Sequence, residues 1–563
     1  MELFMSLLVM LGGVAVFMYG MKQMSLSMEQ GAGAGVHKLF AKISKNRLLD
    51  YGIGIGATII VQSSSATSIM TVGLANAGIV KVKNGAGMVL GAKVGTTLTA
   101  FAFALSGVSK GHFSMTALFA ALAFVGVIII YSTSNETLNK IALFLTGFGM
   151  LFAGLELMET AIGGPDSVLS VSLQQVFQYD IMKNPILLVI LGILFTGIIQ
   201  SSTAATGLFL IFLTTGVIGS IDQSFFLIMG ANIGTCSDGL MASIGTNANG
   251  KRIALFHVLS STIGAVMFTI ILILFKAPVV NTFNNLFPDN PAWSLATFNL
   301  LYNVIYTLIL LIFLDPLVSL VTKLVKDKQA TKSSVKYIDE LLLATPTIAV
   351  ESTMNEVHDM AQMADENFER AFRGLVNADT SESKIIAVNE NAVDDTTRAL
   401  ADYLIKLSAA TTFVDNEKMI GGLHHIINDI ERIGDYAVVL AKETNYMKKA
   451  DAHFLPETVE ELKEIFAVIP DMFALALDAF MSRETDNLQE IAQMQMKING
   501  LLANARETHI TRLNSNMYSV EVSKSLYSAL FSLERVSDHI VNIAFSIGSD
   551  TGSKPEAFKN LAK

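Results

Sequence analysis

The chain has 563 residues, 52% hydrophobic and 16% charged, a composition that excludes an ordinary soluble globular protein and favours a membrane protein. Charge is unevenly distributed, because residues 1–328 carry 17 lysines and arginines against 13 aspartates and glutamates, while the remainder carries 22 against 36. The single cysteine, Cys236, excludes an intramolecular disulfide framework and a zinc site built from several thiolates. We therefore expect an apolar part at 1–328 and an acidic part at 335–560.

The apolar part predicts seven membrane-spanning helices, since a bilayer core of about 30 Å needs about 20 apolar residues in a helix. The N-terminal segment lacks the basic residues and the small-residue cleavage site of a signal peptide, so we interpret it as a retained span. The predicted spans are 3–21, 85–108, 114–131, 141–160, 224–246, 253–275 and 293–320. Two further apolar stretches, 52–80 and 186–219, are glycine-rich and interrupted by polar residues.

The charges around these two stretches predict how they enter the membrane, because short cytoplasmic loops carry excess lysine and arginine. Basic residues flank the first stretch: Lys38, Lys42, Lys45, Arg47, Lys81 and Lys83. Aspartates dominate the flanks of the second: Asp166, Asp180 and Asp222. We therefore expect two re-entrant hairpins, the first entering from the cytoplasm and the second from outside, with the acidic part of the chain in the cytoplasm.

Three sequence blocks of the apolar part occur twice, in the same order. The blocks are FMYGMKQM from Phe17 and LFAGLELM from Leu151, VQSSSATSIM from Val61 and IQSSTAATGL from Ile199, and GAKVGTTLTA from Gly91 and GANIGTCSDG from Gly230. Inverted repeats with interrupted helices near the bilayer midplane are the architecture of secondary transporters. The fold class we predict is an all-α polytopic membrane protein with inverted repeats at about 1–131 and 141–275, a final span at 293–320, and a separate helical bundle.

The polar run in each hairpin suggests an ion site. Backbone that leaves helical geometry inside a bilayer is tolerated only where it is buried in protein or lines a water-filled cavity. Hydroxyl and amide groups can donate to an oxyanion and accept toward a small hard cation. Close helix packing by small residues is the alternative for any single serine, but two matched copies favour a site. Glycines beside the tips are expected to let the adjacent span break: Gly91, Gly95, Gly230 and Gly234.

These duplicated Q-S-S-[ST] tips, each followed by a G-A-x-[VI]-G-T block, resemble the sodium-dependent phosphate cotransporter family (type II symporters) over about residues 1–320. The resemblance implies that tips and blocks bind sodium and phosphate together. The site residues it implies are Gln62, Ser63, Ser64, Ser65, Thr96, Thr97, Gln200, Ser201, Ser202, Thr203, Asn232 and Thr235.

Two ionisable residues depart from the family pattern, and an ionisable residue inside a membrane is a functional hypothesis by default. Asp238, which we include in the site, could supply a carboxylate to sodium or carry a proton. Lys93 could replace a cation or contact the anion, and either side chain could instead snorkel or pair within the bundle. Lys22 and Glu156 occupy equivalent repeat positions with opposite charge, for which we expect an ion pair or an interfacial placement, with a role as ion ligands as the alternative.

The acidic part has long amphipathic helices with few glycines and prolines, a pattern typical of a helical bundle. Its NDIERIGDYA block from Asn428 recurs as FSLERVSDHI from Phe531, and this E-R-[IV]-x-D signature resembles the PhoU family of phosphate-signalling regulators. Carboxylates four residues apart share a helical face. The resemblance implies a divalent or iron metal site, for which the candidates are Glu431, Asp435, Glu534 and Asp538; ion pairs with Arg432 and Arg535 are the alternative.

Together these patterns predict a bacterial inner-membrane (plasma-membrane) sodium/phosphate symporter that works by alternating access and carries a cytoplasmic PhoU-like regulatory domain. Its expected partners are inorganic phosphate, sodium, the lipid bilayer and a phosphate-signalling protein. A phosphate exporter, a carrier of another oxyanion, and a signalling scaffold without flux are the alternatives. We predict no enzymatic activity, since no activated nucleophile is recognisable, and no nucleic-acid binding, since the acidic part would repel it.

Overall fold

The structure, a computed structural model, describes residues 2–40, 46–106, 115–133, 135–163, 167–288, 290–326, 335–344, 346–410, 414–515 and 517–546. All regular elements within these ranges are helical, as predicted. The chain divides into two units, Met1–Ala330 and Thr331–Lys563, and each is described by itself.

Sixteen α-helices form the described part of the first unit. They are α1 (Glu2–Phe40), α2 (Arg47–Val61), α3 (Ser64–Asn76), α4 (Val82–Gly95), α5 (Thr97–Ser106), α6 (Met115–Ser132), α7 (Glu136–Ile162), α8 (Val168–Gln178), α9 (Pro185–Ile199), α10 (Ser202–Thr214), α11 (Ile221–Gly234), α12 (Cys236–Ala242), α13 (Ala248–Leu274), α14 (Lys276–Leu286), α15 (Pro291–Ile312) and α16 (Leu314–Leu324).

Six segments of this unit are long and apolar enough to cross a membrane, and each coincides with a predicted span. They are Glu2–Met28, Val82–Ala104, Thr137–Ile162, Ile221–Ala242, Ala248–Leu274 and Pro291–Ile312. The predicted span at 114–131 corresponds to the shorter apolar helix Ala117–Ser132, and residues 107–114 lie outside the described ranges. The first unit is therefore a multi-pass membrane unit.

Both polar interruptions are helix breaks with the same backbone geometry. Gln62 ends α2 in the left-handed region at φ 55°, and Gln200 ends α9 in the same way at φ 57°. The next residue in each copy, Ser63 or Ser201, caps the following helix by accepting a hydrogen bond from a backbone N–H three residues on, at 3.1 Å. Each predicted hairpin is thus a helix, a sharp two-residue tip and a second helix.

Glycines let the hairpins pack directly on the helices that follow them. A Cβ atom added to Gly91 on α4 would lie 2.0 Å from the Tyr51 carbonyl oxygen, and one added to Gly230 on α11 would lie 2.1 Å from that of Val189. The spans do break nearby, at Thr96 between α4 and α5 and at Thr235 between α11 and α12, but both threonines keep right-handed helical angles. The sequence predicts that these glycines let the spans break. In the structure they instead allow close backbone contact between the hairpins and the following helices.

Equivalent helices of the two repeats run antiparallel. Gly20 of α1 corresponds to Gly154 of α7 within the repeated blocks, and Gly13 and Gly147 lie four residues before these blocks begin. A Cβ atom at Gly20 would lie 2.7 Å from the Gly147 carbonyl oxygen, and one at Gly13 would lie 3.0 Å from that of Gly154. The first glycine of one helix thus faces the second glycine of the other, which is the contact pattern of two helices related by an approximate twofold axis.

The two hairpins open at opposite ends of the α13–α15 helix pair. At the end where α14 links this pair, Lys276 forms an ion pair at 2.5 Å with Asp222, which begins α11 after the second hairpin. At the other end, Asp315, just beyond α15, pairs at 2.5 Å with Lys83, which begins α4 after the first hairpin. This is the arrangement that hairpins entering a membrane from two sides require.

The second unit is a helical bundle, as predicted. Its helices are α17 (Pro346–Val376), α18 (Ser383–Ala410), α19 (Val414–Lys449), α20 (Pro456–Phe466), α21 (Ile469–Ser482), α22 (Leu488–Asn514) and α23 (Val520–Phe545). The segment Pro456–Ser482 is also apolar enough to cross a membrane, the seventh such segment in the described residues. Its side chains Leu462, Phe473 and Phe480 are buried inside the bundle, because this unit has its own hydrophobic core.

Candidate functional site

The two hairpin tips line one cavity of about 560 Å³, which we call the tip cavity. Eight of the predicted site residues lie in its wall: Gln62, Ser63, Ser64, Ser65, Gln200, Ser201, Ser202 and Thr203. Helix α1 forms another wall, and its Ser25 hydroxyl donates a hydrogen bond to the Val61 carbonyl at the end of α2. Equivalent residues of the two tips, such as Gln62 and Gln200, which are 138 positions apart in the sequence, therefore line the same cavity, as the repeat predicts.

The electrostatic character of the tip cavity is positive. Among the described residues that line it, Lys22 of α1 is the only charged one, and none is a carboxylate. Helices α3 and α10 both begin at the tips, so their N-terminal backbone N–H groups, which lack intrahelical partners, add partial positive charge there. Hydroxyl and amide donors, two helix N-termini and one ammonium group are a favourable environment for an oxyanion.

Lys22 lines the tip cavity, although the sequence favoured an ion pair with Glu156 or an interfacial placement over ligation for it. Among the described residues the ion pair with Glu156 does not form, and both side chains are exposed. Its position on α1 beside the tips depends on how α1 packs against the hairpins. Sequence spacing alone carries no signal for that rotation.

A second, much smaller cavity of about 10 Å³ lies beside the break between α4 and α5, and it has room for about one water molecule or ion. The predicted residues Thr96, Thr97 and Asn232 line it, together with Ser202 and Thr203 of the second tip. Lys93 and Thr206 also line this cavity, as do two asparagines of α15 that were not among the predicted site residues. They are Asn299 and Asn303, and the side-chain oxygen of Asn303 is buried without a hydrogen-bond partner.

Asp238 lies close to the first hairpin although it belongs to the second repeat. It sits on α12, its side chain is buried, and its carboxylate accepts a hydrogen bond from the Ser237 hydroxyl at 3.5 Å and lies near the Ser65 hydroxyl. Helix α12 packs on α3, just as α5 packs on α10 in the other half of the repeat. Each repeat thus contributes its helix break to the hairpin of the other.

Lys93 neither snorkels to the surface nor lines the tip cavity. Its side chain is buried, and its ammonium group donates hydrogen bonds to the Asn232 carbonyl oxygen at 2.8 Å and to the Thr235 hydroxyl at 3.2 Å. The Cys236 sulfur lies 3.8 Å away. Thr235 therefore holds Lys93 at the α11–α12 break and is not part of the tip cavity wall.

The second carboxylate pair predicted in the bundle is engaged by polar and basic side chains. Glu534 accepts two hydrogen bonds from the guanidinium of Arg506, one of them at 3.3 Å. Asp538 lies 3.7 Å from Arg535 and accepts a hydrogen bond from Gln495 at 3.3 Å. This geometry corresponds to the ion-pair alternative.

The first pair is part of an acidic cluster. Burial raises the pKa of Glu431, and the nearby carboxylate of Asp435 raises it further, with Asp394 and Glu390 of α18 close by. Within the described ranges, however, no group of three or more histidines, cysteines or carboxylates is arranged to hold a metal ion. The metal site expected at Glu431, Asp435, Glu534 and Asp538 is therefore not supported.

Both units match known protein families. Residues 16–160 and 166–286 match the family described as Na+/Pi-cotransporter, and each of these two segments contains one hairpin tip. Residues 357–444 and 462–547 match the family described as PhoU domain, and each contains one E-R-[IV]-x-D signature.

The chain is also similar to individual proteins. A Salmonella typhimurium protein named "Putative inorganic phosphate export protein YjbB" is 22% identical over 550 residues, which cover 96% of this chain and 97% of the relative. "Uncharacterized protein YqeW" of Bacillus subtilis is 26% identical over 292 residues, 52% of this chain and 89% of that protein. The crystal structure of PhoU from Pseudomonas aeruginosa matches 36% of this chain and 95% of its own, with 21% identity and a TM-score of 0.34.

Proposed function

We propose that this protein transports inorganic phosphate across the membrane and couples that transport to sodium. The membrane unit matches the Na+/Pi-cotransporter family, and the second unit matches the PhoU domain family twice. The observation that carries the proposal is the tip cavity, where both repeated Gln-Ser-Ser tips meet around a single positive charge. The cavity is the proposed phosphate site, and the direction of transport follows the combined gradients of the two ions.

The donor set of the tip cavity suits an anion that must bind and leave in every cycle. Hydroxyl and amide groups and helix N-termini satisfy phosphate oxygens without the desolvation cost of several buried charges. A single ammonium group, that of Lys22, adds attraction for the anion and is exposed, so it stays hydrated when the cavity is empty. A cavity with several arginines would hold phosphate more tightly and release it more slowly.

Sodium is proposed to bind beside the phosphate at the oxygen atoms around the helix breaks. Sodium prefers hard oxygen ligands, and the carboxylate of Asp238 with the Ser65 hydroxyl supplies two of them at the edge of the first tip. Thr96, Thr97 and Asn232 supply hydroxyl and amide oxygens beside the second tip. Two ions of opposite charge that bind at neighbouring ligands raise each other's affinity, and this is the coupling that symport needs.

Alternating access is the proposed transport mechanism. Antiparallel α1 and α7, and hairpins that open at opposite ends of the α13–α15 pair, are the features expected of inverted-topology repeats with re-entrant hairpins. In such an arrangement one repeat rocks against the other while the ion site stays near the bilayer midplane. We place the protein in a bacterial plasma membrane with the PhoU domains in the cytoplasm, where they would bias the cycle or dock a phosphate-signalling protein.

Phosphate export is a second candidate, favoured by one observation: the relative that covers this chain almost from end to end is named as a phosphate exporter. The same tip cavity would serve export when the phosphate gradient exceeds the driving force of the coupled ion. Efflux of radiolabelled phosphate from preloaded cells, compared with cells that lack the protein, distinguishes the net direction.

The experiment that tests the proposal is radiolabelled phosphate flux through the purified full chain in liposomes, under a sodium gradient of either direction, with lithium or choline as replacements. Flux that follows the sodium gradient supports sodium coupling. Flux that is unchanged when choline replaces sodium and that follows a proton gradient would contradict sodium coupling and indicate proton coupling through Asp238. Phosphate binding without any flux would contradict the transport proposal and would favour the alternative that the protein is a signalling scaffold.

A further inference from the structure

The ammonium group of Lys93 lies in a set of oxygen ligands that also suits a metal cation. Its nearest neighbours are the Asn232 carbonyl oxygen at 2.8 Å and the Thr235 hydroxyl at 3.2 Å, with the Cys236 sulfur at 3.8 Å. No carboxylate is among its hydrogen-bond partners within the described residues, so the contact is not an ordinary buried ion pair. Neutral carbonyl and hydroxyl oxygens are instead the ligands that sodium takes in transporters.

The position of these ligands in the fold strengthens the comparison. Asn232 lies in the last turn of α11, which ends at Gly234, where the carbonyl groups carry partial negative charge. Its carbonyl oxygen also accepts a hydrogen bond from the Thr235 hydroxyl at 3.0 Å. Ends of interrupted helices coordinate the coupling cation in other transporter folds. The break between α11 and α12 is therefore a place where a cation is stabilised, and a side chain from the other repeat reaches it.

The internal repeat supplies a comparison within the same chain. Asn232 occupies the position of Lys93 in the second repeat, and it carries a neutral amide. That amide donates a hydrogen bond to the Ile228 carbonyl of its own helix at 3.1 Å, and so it does not bring a charge to the α4–α5 break. Lys93 of the first repeat thus places a fixed positive charge at the α11–α12 break of the second repeat. Its counterpart Asn232 brings no charge to the α4–α5 break of the first repeat.

From this geometry we propose that the α11–α12 break is a monovalent-cation site and that the ammonium group of Lys93 occupies it permanently in place of a free ion. The inference rests on the proposed function and deepens it, because a tethered cation cannot leave with phosphate. The chain accordingly transports one cation fewer per phosphate than it would with an uncharged side chain at position 93.

The test is the zero-flux phosphate gradient of the full chain in liposomes, with the membrane potential clamped at zero and a fixed sodium gradient. Lys93→Asn places the residue of the second repeat in the first and opens the site to sodium. One additional coupled sodium raises the phosphate ratio at zero flux by the factor of the sodium gradient, roughly tenfold for a roughly tenfold gradient. Lys83→Asn, the same exchange at the exposed start of α4, is the matched control and leaves the ratio unchanged.

A Lys93→Asn protein that transports phosphate with the ratio of the unmodified chain overturns the proposal. A second readout, which does not depend on transport, is thermal unfolding of the purified chain in sodium and in choline. Sodium should stabilise Lys93→Asn more than it stabilises the unmodified chain, because the variant has one additional sodium site, and equal stabilisation of the two proteins also overturns the proposal. This readout holds even if the unmodified chain moves no phosphate, a result that contradicts the proposed function alone.

Poor folding of Lys93→Asn is itself informative. An empty cation site would destabilise the α11–α12 break, and sodium, but not choline, should then restore the folded protein. Lys93→Gln, with a longer neutral side chain, repeats this comparison. Failure of both variants to fold in sodium as well as in choline overturns the proposal, because a free cation would then not substitute for the ammonium group.

Discussion

The ammonium nitrogen of Lys93 lies 2.8 Å from the backbone carbonyl oxygen of Asn232, its own counterpart in the second repeat. This contact joins the end of α4 in the first repeat to the end of α11 in the second. The helix breaks of both repeats therefore lie close together, beside the second hairpin tip. Any movement of one repeat against the other must be accommodated at this point.

Lys22 is predicted to contribute to phosphate affinity, because it is the only charged residue that lines the tip cavity in the part of the chain that the structure describes. Lys22→Gln removes that charge and keeps most of the side-chain volume. An exposed charge contributes about 0.2–1 kcal/mol, so the KM for phosphate should rise by a factor of roughly 1.4 to 5 while the maximal rate changes little. Initial-rate uptake over a phosphate series measures it. Lys183→Gln, on a lysine paired with Asp180 outside the cavity, is the control, and an unchanged KM in Lys22→Gln would remove Lys22 from the site.

The contact between the first hairpin and α4 predicts a sharp difference between two neighbouring glycines of α2. A Cβ atom at Gly54 would lie 2.0 Å from the Met88 carbonyl oxygen, whereas one at Gly52 would meet nothing within 4 Å. Gly54→Ala should therefore separate the helices and reduce the yield of folded protein, while Gly52→Ala should stabilise α2 by up to about 1 kcal/mol. Size-exclusion profiles and thermal unfolding in detergent measure both. Equal yields and equal unfolding temperatures for the two variants would contradict the close contact between Gly54 of α2 and Met88 of α4.

The second unit is predicted to lose stability as the pH rises, because burial, with Glu369 and Glu366 nearby, raises the pKa of Asp365 to about 6. A carboxyl whose pKa is higher in the folded state favours folding when protonated. Its contribution is complete below about pH 4 and is lost as the pH rises through 6. Asp365→Asn should therefore stabilise α17 at pH 7 by about 1–3 kcal/mol and flatten the pH profile.

Hydrogen exchange of α17 peptides in the full chain, measured between about pH 5 and pH 8 and corrected for the intrinsic exchange rate, checks this prediction. Asp402→Asn, on an exposed residue of α18, is the control and should follow the unmodified chain. A pH profile of Asp365→Asn that coincides with that of the unmodified chain would show that Asp365 is not protonated in the folded bundle.

The hairpin tips could be predicted from the sequence because their signals are local. A polar run inside an apolar stretch must break a membrane helix or line a cavity, and the serine after each glutamine is a good N-cap. The repeat then paired the two tips, and the structure places Gln62 and Gln200 in one cavity wall. Glycine positions were also informative, but their role is contact between backbones, which requires knowledge of the neighbouring helix.

Other parts of the candidate site could not be predicted because they depend on helix rotation. Helices such as α1 and α15 are apolar on nearly all sides, so periodicity does not reveal which face meets the hairpins. Lys22, Asn299 and Asn303 are therefore visible only in the folded unit. The bundle shows the same limit, since the spacing of Glu534 and Asp538 does not indicate that Arg506 of another helix reaches Glu534 and that Gln495 reaches Asp538.

The most direct measurement is sodium-driven uptake of radiolabelled phosphate by the reconstituted full chain, with Gln200→Ala compared with Gln178→Ala on the exposed end of α8. A hydrogen bond to a charged group contributes about 1.5–3 kcal/mol, so Gln200→Ala should lower uptake at subsaturating phosphate by at least about tenfold. Gln178→Ala should transport as the unmodified chain does. Uptake by Gln200→Ala with an unchanged rate and KM would contradict the assignment of phosphate to the tip cavity.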